Sequence, residues 1–305
     1  MSQPTASELN TKFAILDHLR FEDAPGELKR ILIKTPAAEA TIYTQGAHIT
    51  KWNPTGQHPG LYLSPKSAME RGKPIRGGVP IIFPWFGARS DGKDGPMHGF
   101  ARLSEWTVES THFSPDGEAV VTMSLEANEA IRAYGFDHFR VAIAFHIGHE
   151  LKMTLEVTNH GSAPFVFEEG FHPYFAIGDI AQIATAGLAG TTYLDKRDDF
   201  KRKLQTAELL HYTRDIDQVH VNTTTPLTIE DSAWNRDLHI EKHGSHATVT
   251  WNPGSLLTAS MADLDPESYK HFVCVETMNV GENHVTLAPG ATHRMDSNVT
   301  IRPRG

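Results

Sequence analysis

Short apolar runs that alternate face by face, each closed by Gly, Pro, Asn or Asp, fill almost the whole chain and leave little room for helix. In residues 139–147, Val141, Ile143 and Phe145 share one face. In residues 151–157, Leu151, Met153, Leu155 and Val157 do the same against polar partners. A repeat of two is that of a strand with one buried side. Runs at 28–34, 39–44, 119–125, 247–251, 271–276, 284–287 and 293–301 have the same strand-like character. Many short strands with turn residues between them predict an all-β chain, a large antiparallel β-sandwich or barrel. Helix is expected only within residues 5–18 and as one turn over 265–270. The segment 287–293, Leu-Ala-Pro-Gly-Ala-Thr-His, reads as a hairpin connection.

No composition break, linker or internal repeat divides the 305 residues. The expected organisation is an N-terminal extension over residues 1–20, with some helix, and a single β-sandwich catalytic domain over residues 21–305. A core of that length needs two facing sheets to cover it. The net charge of −9 disfavours nonspecific binding to nucleic acid or to an anionic membrane, both of which need basic surface. The one cysteine, Cys274, lies in an apolar run and fits a reducing compartment. The polar N-terminus has no signal-peptide pattern, and no apolar stretch is long enough to span a membrane. A cytoplasmic protein is therefore expected, and a monomer is the expected state. His146 and His149 are three apart and fall on opposite faces of a strand, and His239, His243 and His246 form only a loose polar cluster, so no metal is expected.

Five segments place polar or titratable residues among Gly, Pro and aromatic neighbours. In Arg76-Gly-Gly-Val-Pro80, two glycines permit positive φ and close backbone approach. A planar guanidinium on such a stiff loop suits a bidentate contact to phosphate or carboxylate, although a solvated turn arginine fits equally. His98-Gly-Phe-Ala-Arg102 followed by Trp106 supplies a histidine, a second arginine and two rings. In Phe171-His-Pro-Tyr-Phe175, residues 172 and 174 share one strand face and 171 and 175 the other. His172 there suits general acid work or is a satisfied core histidine. Asp195, in Tyr193-Leu-Asp, is an acceptor for hydroxyl groups or a turn former. Glu276 ends the apolar run Val273-Cys-Val, where a buried carboxylate is costly and its pKa rises unless the strand end reaches water. Glu168 and Glu169 precede His172 and receive no role from the sequence.

Taken together, in this order and spacing, these motifs resemble the aldose 1-epimerase superfamily over nearly the whole chain. The likeness is to its hexose-6-phosphate mutarotase branch. That resemblance implies a galactose mutarotase-like supersandwich fold and interconversion of the α and β anomers of a hexose 6-phosphate. It implies His172 as general acid, Glu276 as general base, and Arg76, His98, Arg102 and Asp195 as substrate-binding residues, with no cofactor. Three other functions compete: a free-hexose mutarotase, a noncatalytic sugar-binding module, and a glycoside hydrolase using Glu276 with Asp195 as its two carboxylates.

Overall fold

The computed structural model describes residues 3–304. Met1, Ser2 and Gly305, the two ends of the expected organisation, lie outside the described residues. The expected all-β architecture is present. A nine-stranded antiparallel sheet runs from Leu209–His211 at one edge to Thr107–Phe113 at the other, with Arg236–His243, Thr292–Pro303 and Glu150–Asn159 at its centre. Against it lies an eight-stranded sheet centred on Ile216–Val221, Ala247–Asn252 and Phe272–Asn279. A four-stranded meander, from Leu19–Ala24 to His48–Pro54, extends the cover.

The alternation read from the sequence decides which side chains enter the space between the layers. Glu150–Asn159 buries every second residue without a break. Leu151, Met153, Leu155 and Val157 meet Leu238, Ile240, Met295 and Val299 there, and Val273 and Val275 enter from the eight-stranded sheet. The same core takes in Phe21, Ile31 and Ile42 from the meander, and Ala6 and Leu9 from the N-terminal helix.

Two local expectations are met in narrower form and one is corrected. The helix covers only Ala6–Phe13, because Ala14 turns extended and Ile15 bridges to Leu19. The turn near 265–270 is a 3-10 turn, Ser268–His271. The segment 287–293 does not close a hairpin. Val285–Leu287 pairs with Phe165–Phe167, and Thr292–Pro303 pairs with Glu150–Asn159 in the nine-stranded sheet. Asn159 makes this crossing possible by donating to the carbonyls of Ala163 and Leu287. A short helix, Gly254–Ser260, was not expected.

Two buried cations tie the nine-stranded sheet to its cover. Lys242 donates to the carbonyls of Thr223 and Ala247 and to the Thr248 hydroxyl, at 2.8–2.9 Å. Burial without a counter-charge pushes its pKa down to about 7. Arg236, 1% exposed, donates to the carbonyls of His58, Pro59 and Ala176 and lies 3.5 Å from Asp231. Removing one partner of such a pair leaves the other charge buried and uncompensated. Arg236→Met is therefore expected to lower unfolding free energy by about 3–5 kcal/mol, measured by urea denaturation.

Candidate active site

Two segments distant in sequence become strand neighbours, and their register builds the site. Phe171 pairs with Thr277 and Tyr174 with Cys274, both antiparallel. The same register sets His172 opposite Glu276, and directly opposed side chains share a face. Pro173, between the paired stretches, has no N–H to give the ladder. As the alternation requires, Phe171 and Phe175 enter the core between the sheets, while Tyr174 joins Phe272 and Cys274 on the outer face.

His172 Nε2 lies 3.4 Å from Glu276 Oε1. The two groups stand side by side, and both are buried. Burial holds Glu276 well above the usual carboxylate range; the charge on Asp217 adds to this and Lys196 offsets it. Burial also holds His172 well below the usual imidazole value, reinforced by His98, Arg102 and Arg76. The lowest-cost arrangement is thus a neutral imidazole beside a protonated carboxyl, one proton for the pair. His172 Nδ1 and Glu276 Oε2 are buried and have no hydrogen-bond partner in the protein. An unpaired buried polar atom costs about 1–3 kcal/mol, which a polar ligand can recover.

Rings surround the pair. Tyr174 stacks on His172 at 5.1 Å, and Trp251 and His98 meet it edge-on at 6.0 and 5.8 Å. The Arg-Gly-Gly loop passes so close to its neighbours that a Cβ at Gly77 or Gly78 would come within 2.4 Å of a backbone oxygen. Both glycines have positive φ, so the expected close approach is observed. Arg76 at its head binds Asp263 through Nε and the Tyr174 hydroxyl through Nη1, each at 2.9 Å. Arg102 differs. Its Nη2 donates to the Met97 carbonyl at 2.7 Å, its Nε has no partner, and no carboxylate among the described residues pairs with it. Burial lowers its pKa, which leaves a largely desolvated cation able to receive an anion. His98, at φ 64, accepts a hydrogen bond on Nδ1 from the Gly87 N–H, so its proton is on Nε2. Burial, with Arg102, Lys196 and Arg76, pushes its pKa down to about 3 and keeps it neutral.

Of the six residues singled out, five converge and Asp195 does not. Asp195 pairs with Gln218, Gln218 with Thr250, and Thr250 with Val275. That row lies on the inner face, one residue out of step with Glu276. The Asp195 carboxylate is occupied there by Lys203 at 2.8 Å and by the Arg197 N–H at 3.0 Å. The row that includes Glu276 runs through Val249 and Val219, and it is Asp217, two residues before Val219, that shares its face. Asp217, Lys196, Trp251 and Asp263 also line the site without having received a role from the sequence, and Tyr174, expected on the His172 face, is found there. Glu168 and Glu169 are clamps. Glu168 accepts from the N–H groups of Phe86 and Gly281, and buried Glu169 binds Asn279 and His293, each at 3.0 Å. Lys66 and Lys73, other loop lysines near the motif, are paired with Asp265 and Glu70. Among the described residues, no group of three or more His, Cys, Asp or Glu is arranged to hold a metal.

A β-sandwich presenting an adjacent imidazole and carboxyl among aromatic rings and arginines has the form of a sugar isomerase. The aldose 1-epimerase family profile matches residues 29–300. A candidate glucose-6-phosphate 1-epimerase from Escherichia coli K12 is 34% identical over 271 residues, covering 89% of this chain and 90% of the relative. The crystal structure of a candidate mutarotase, YeaD, from Salmonella typhimurium superposes with a TM-score of 0.88 at 30% identity, covering 96% of each chain. A galactose 1-epimerase from Lactobacillus acidophilus, at 13% identity and a TM-score of 0.69, shares the fold. The chain belongs to the aldose 1-epimerase family and is an isomerase by reaction class.

The placement of the two aspartates makes a direct prediction. Asp217→Asn is expected to lower kcat/KM for sugar anomer exchange by roughly 10- to 100-fold, the worth of one charge-assisted hydrogen bond. Asp195→Asn is expected to leave it nearly unchanged. Steady-state kinetics on the two purified variants checks this.

Proposed function

We propose that the protein interconverts the α and β anomers of a hexose 6-phosphate, with Glu276 as general base and His172 as general acid. The observation that carries this reading is the 3.4 Å contact between them, with one further polar atom of each left unpartnered. In a cyclic hemiacetal, the ring oxygen and the anomeric hydroxyl share one carbon. An acid and a base that stand beside each other can therefore serve both oxygens at one anomeric carbon. The shared proton first passes from Glu276 to His172 across the 3.4 Å contact; the carboxylate then takes the hydroxyl proton as His172 gives its proton to the ring oxygen, and the C1–O bond of the ring breaks to leave an open-chain aldehyde. Rotation about C1–C2 and the reverse transfers close the ring as the other anomer. The pair holds one proton before ring opening and one after it, so nothing is consumed.

The lowered His172 and raised Glu276 pKa values fix the pH dependence. On the acid side, activity is lost when the pair takes a second proton, well below the ordinary imidazole value. On the alkaline side, it is lost when the single proton leaves, well above the ordinary carboxylate value. The catalysed exchange is expected to be bell-shaped in pH, with its acid limb below the ordinary imidazole value and its alkaline limb above the ordinary carboxylate value.

Arg102 and Arg76 support a phosphate on the substrate, and the name of the E. coli relative agrees. His98 Nε2–H and Asp217 serve as donor and acceptor to sugar hydroxyls. The hydrolase alternative loses its carboxylate pair, because Asp195 and Glu276 lie on opposite faces of one sheet. Residues 21–305 act as one catalytic domain after the short extension, in a cytoplasmic monomer that binds no nucleic acid. No helix of the described residues is long and apolar enough to cross a membrane.

NMR exchange spectroscopy on glucose 6-phosphate tests the reading. His172→Ala and Glu276→Gln are each expected to lower catalysed exchange by roughly 10²–10⁴-fold. Near-normal exchange in either variant contradicts the assignment. Arg102→Met is expected to raise KM for glucose 6-phosphate roughly 10- to 100-fold while changing that for glucose little.

A further inference from the structure

The segment Tyr193-Leu-Asp-Lys196 carries a site residue, and it is the lysine. Thr192–Asp195 pairs with Ile216–Val221, and the Lys196 N–H continues that ladder to the Asp217 carbonyl at 2.9 Å. One residue beyond inward-facing Asp195, Lys196 turns to the outer face. Its Nζ lies 3.2 Å from Asp217 Oδ2 and 4.8 Å from the centre of the Phe86 ring. Phe86 in turn packs against His98 at 5.0 Å. The lysine thus joins the end of the Thr192–Asp195 strand to the loop that walls the site.

We propose that Lys196 is a positioning residue of the active site, which keeps Asp217 ionised as an acceptor for a substrate hydroxyl and so reserves proton uptake for Glu276. The proposal rests on the anomer-exchange reading and deepens it. Two carboxylates on one buried face compete for a proton unless their surroundings separate them. Burial raises the Asp217 pKa, and Lys196 is the foremost cation opposing that rise, with Arg197 behind it and Asp195 acting the other way. Glu276 lies against His172 and shares its face with Cys274 and Tyr174. It feels Asp217 more strongly than Lys196. Arg76 and Arg102 act on His172, on the far side of the pair. The cation therefore sits on the aspartate side of the site, where it favours ionisation of Asp217 over that of Glu276.

The test has one arm without substrate and one with it. Carbon-detected NMR of the ligand-free protein follows the Asp217 carboxyl through a pH titration. In Lys196→Met its midpoint is expected to move up by about 1–3 units, the usual effect of an opposite charge in contact, and Lys196→Arg is expected to restore it. Lys196→Gln gives the same readout if the methionine variant does not fold. In an Asp217→Asn background, Lys196→Met is expected to cost little more, because the lysine acts through the aspartate. An unmoved Asp217 midpoint in a folded variant overturns the proposal, and so does a fully additive loss in the double variant. A wild-type protein without anomer exchange would refute the functional reading instead, and the carboxyl titration would still decide the role of Lys196.

Discussion

The site depends on one antiparallel register. Phe171 opposite Thr277 and Tyr174 opposite Cys274 place His172 against Glu276, and a slip of one residue would send the imidazole or the carboxyl into the core between the sheets. The register is held from both ends. Beyond Phe171, Glu169 faces Asn279 and bonds to its side chain, and His293 reaches the same carboxylate from the opposite sheet. Beyond Tyr174, Ala176 gives its carbonyl to buried Arg236. The polar groups that cost most to bury are thus the ones that fix the alignment of the catalytic strands.

Burial does the chemical work as well. A carboxyl and an imidazole in water would ionise independently. Side by side and away from solvent, each disfavours its own charged form, and together they keep one mobile proton. Anomer exchange needs that one proton, moved in opposite senses at two oxygens on one carbon. Arg76 is neutralised locally by Asp263, whereas Arg102 is held by a carbonyl and keeps its charge for a ligand. The negative chain thereby retains one place where an anion is welcome.

Much of this was legible in the sequence because strand alternation is a local property. The run 151–157 buries the residues its pattern named, and Phe171-His-Pro-Tyr-Phe175 divides between faces as a period of two requires. Asp195 shows where locality fails. In Ile216–Val221, Gln218 and His220 are buried on the inner face, while Val219 and Val221 pack outward against Ile82 and Met278. Loops cover the outer face, so hydrophobicity there does not report which side is the core. Whether Asp195 or Lys196 faces the site depends on pairing with strands that come later in the chain. Asp217 was hidden for the same reason, since an aspartate in a short alternating run reads as solvent-facing. The resemblance to the family supplied His172, Glu276 and the arginines because their motifs carry Gly and Pro at spacings the backbone demands, as at Gly77 and Gly78.

A crystal structure with glucose 6-phosphate bound would test the shared-proton geometry most directly. The account predicts the ring oxygen within hydrogen-bond reach of His172 Nε2, the anomeric hydroxyl within reach of Glu276, and the phosphate on Arg102 and Arg76. A pyranose bound with its anomeric carbon turned away from residues 172 and 276 would contradict it.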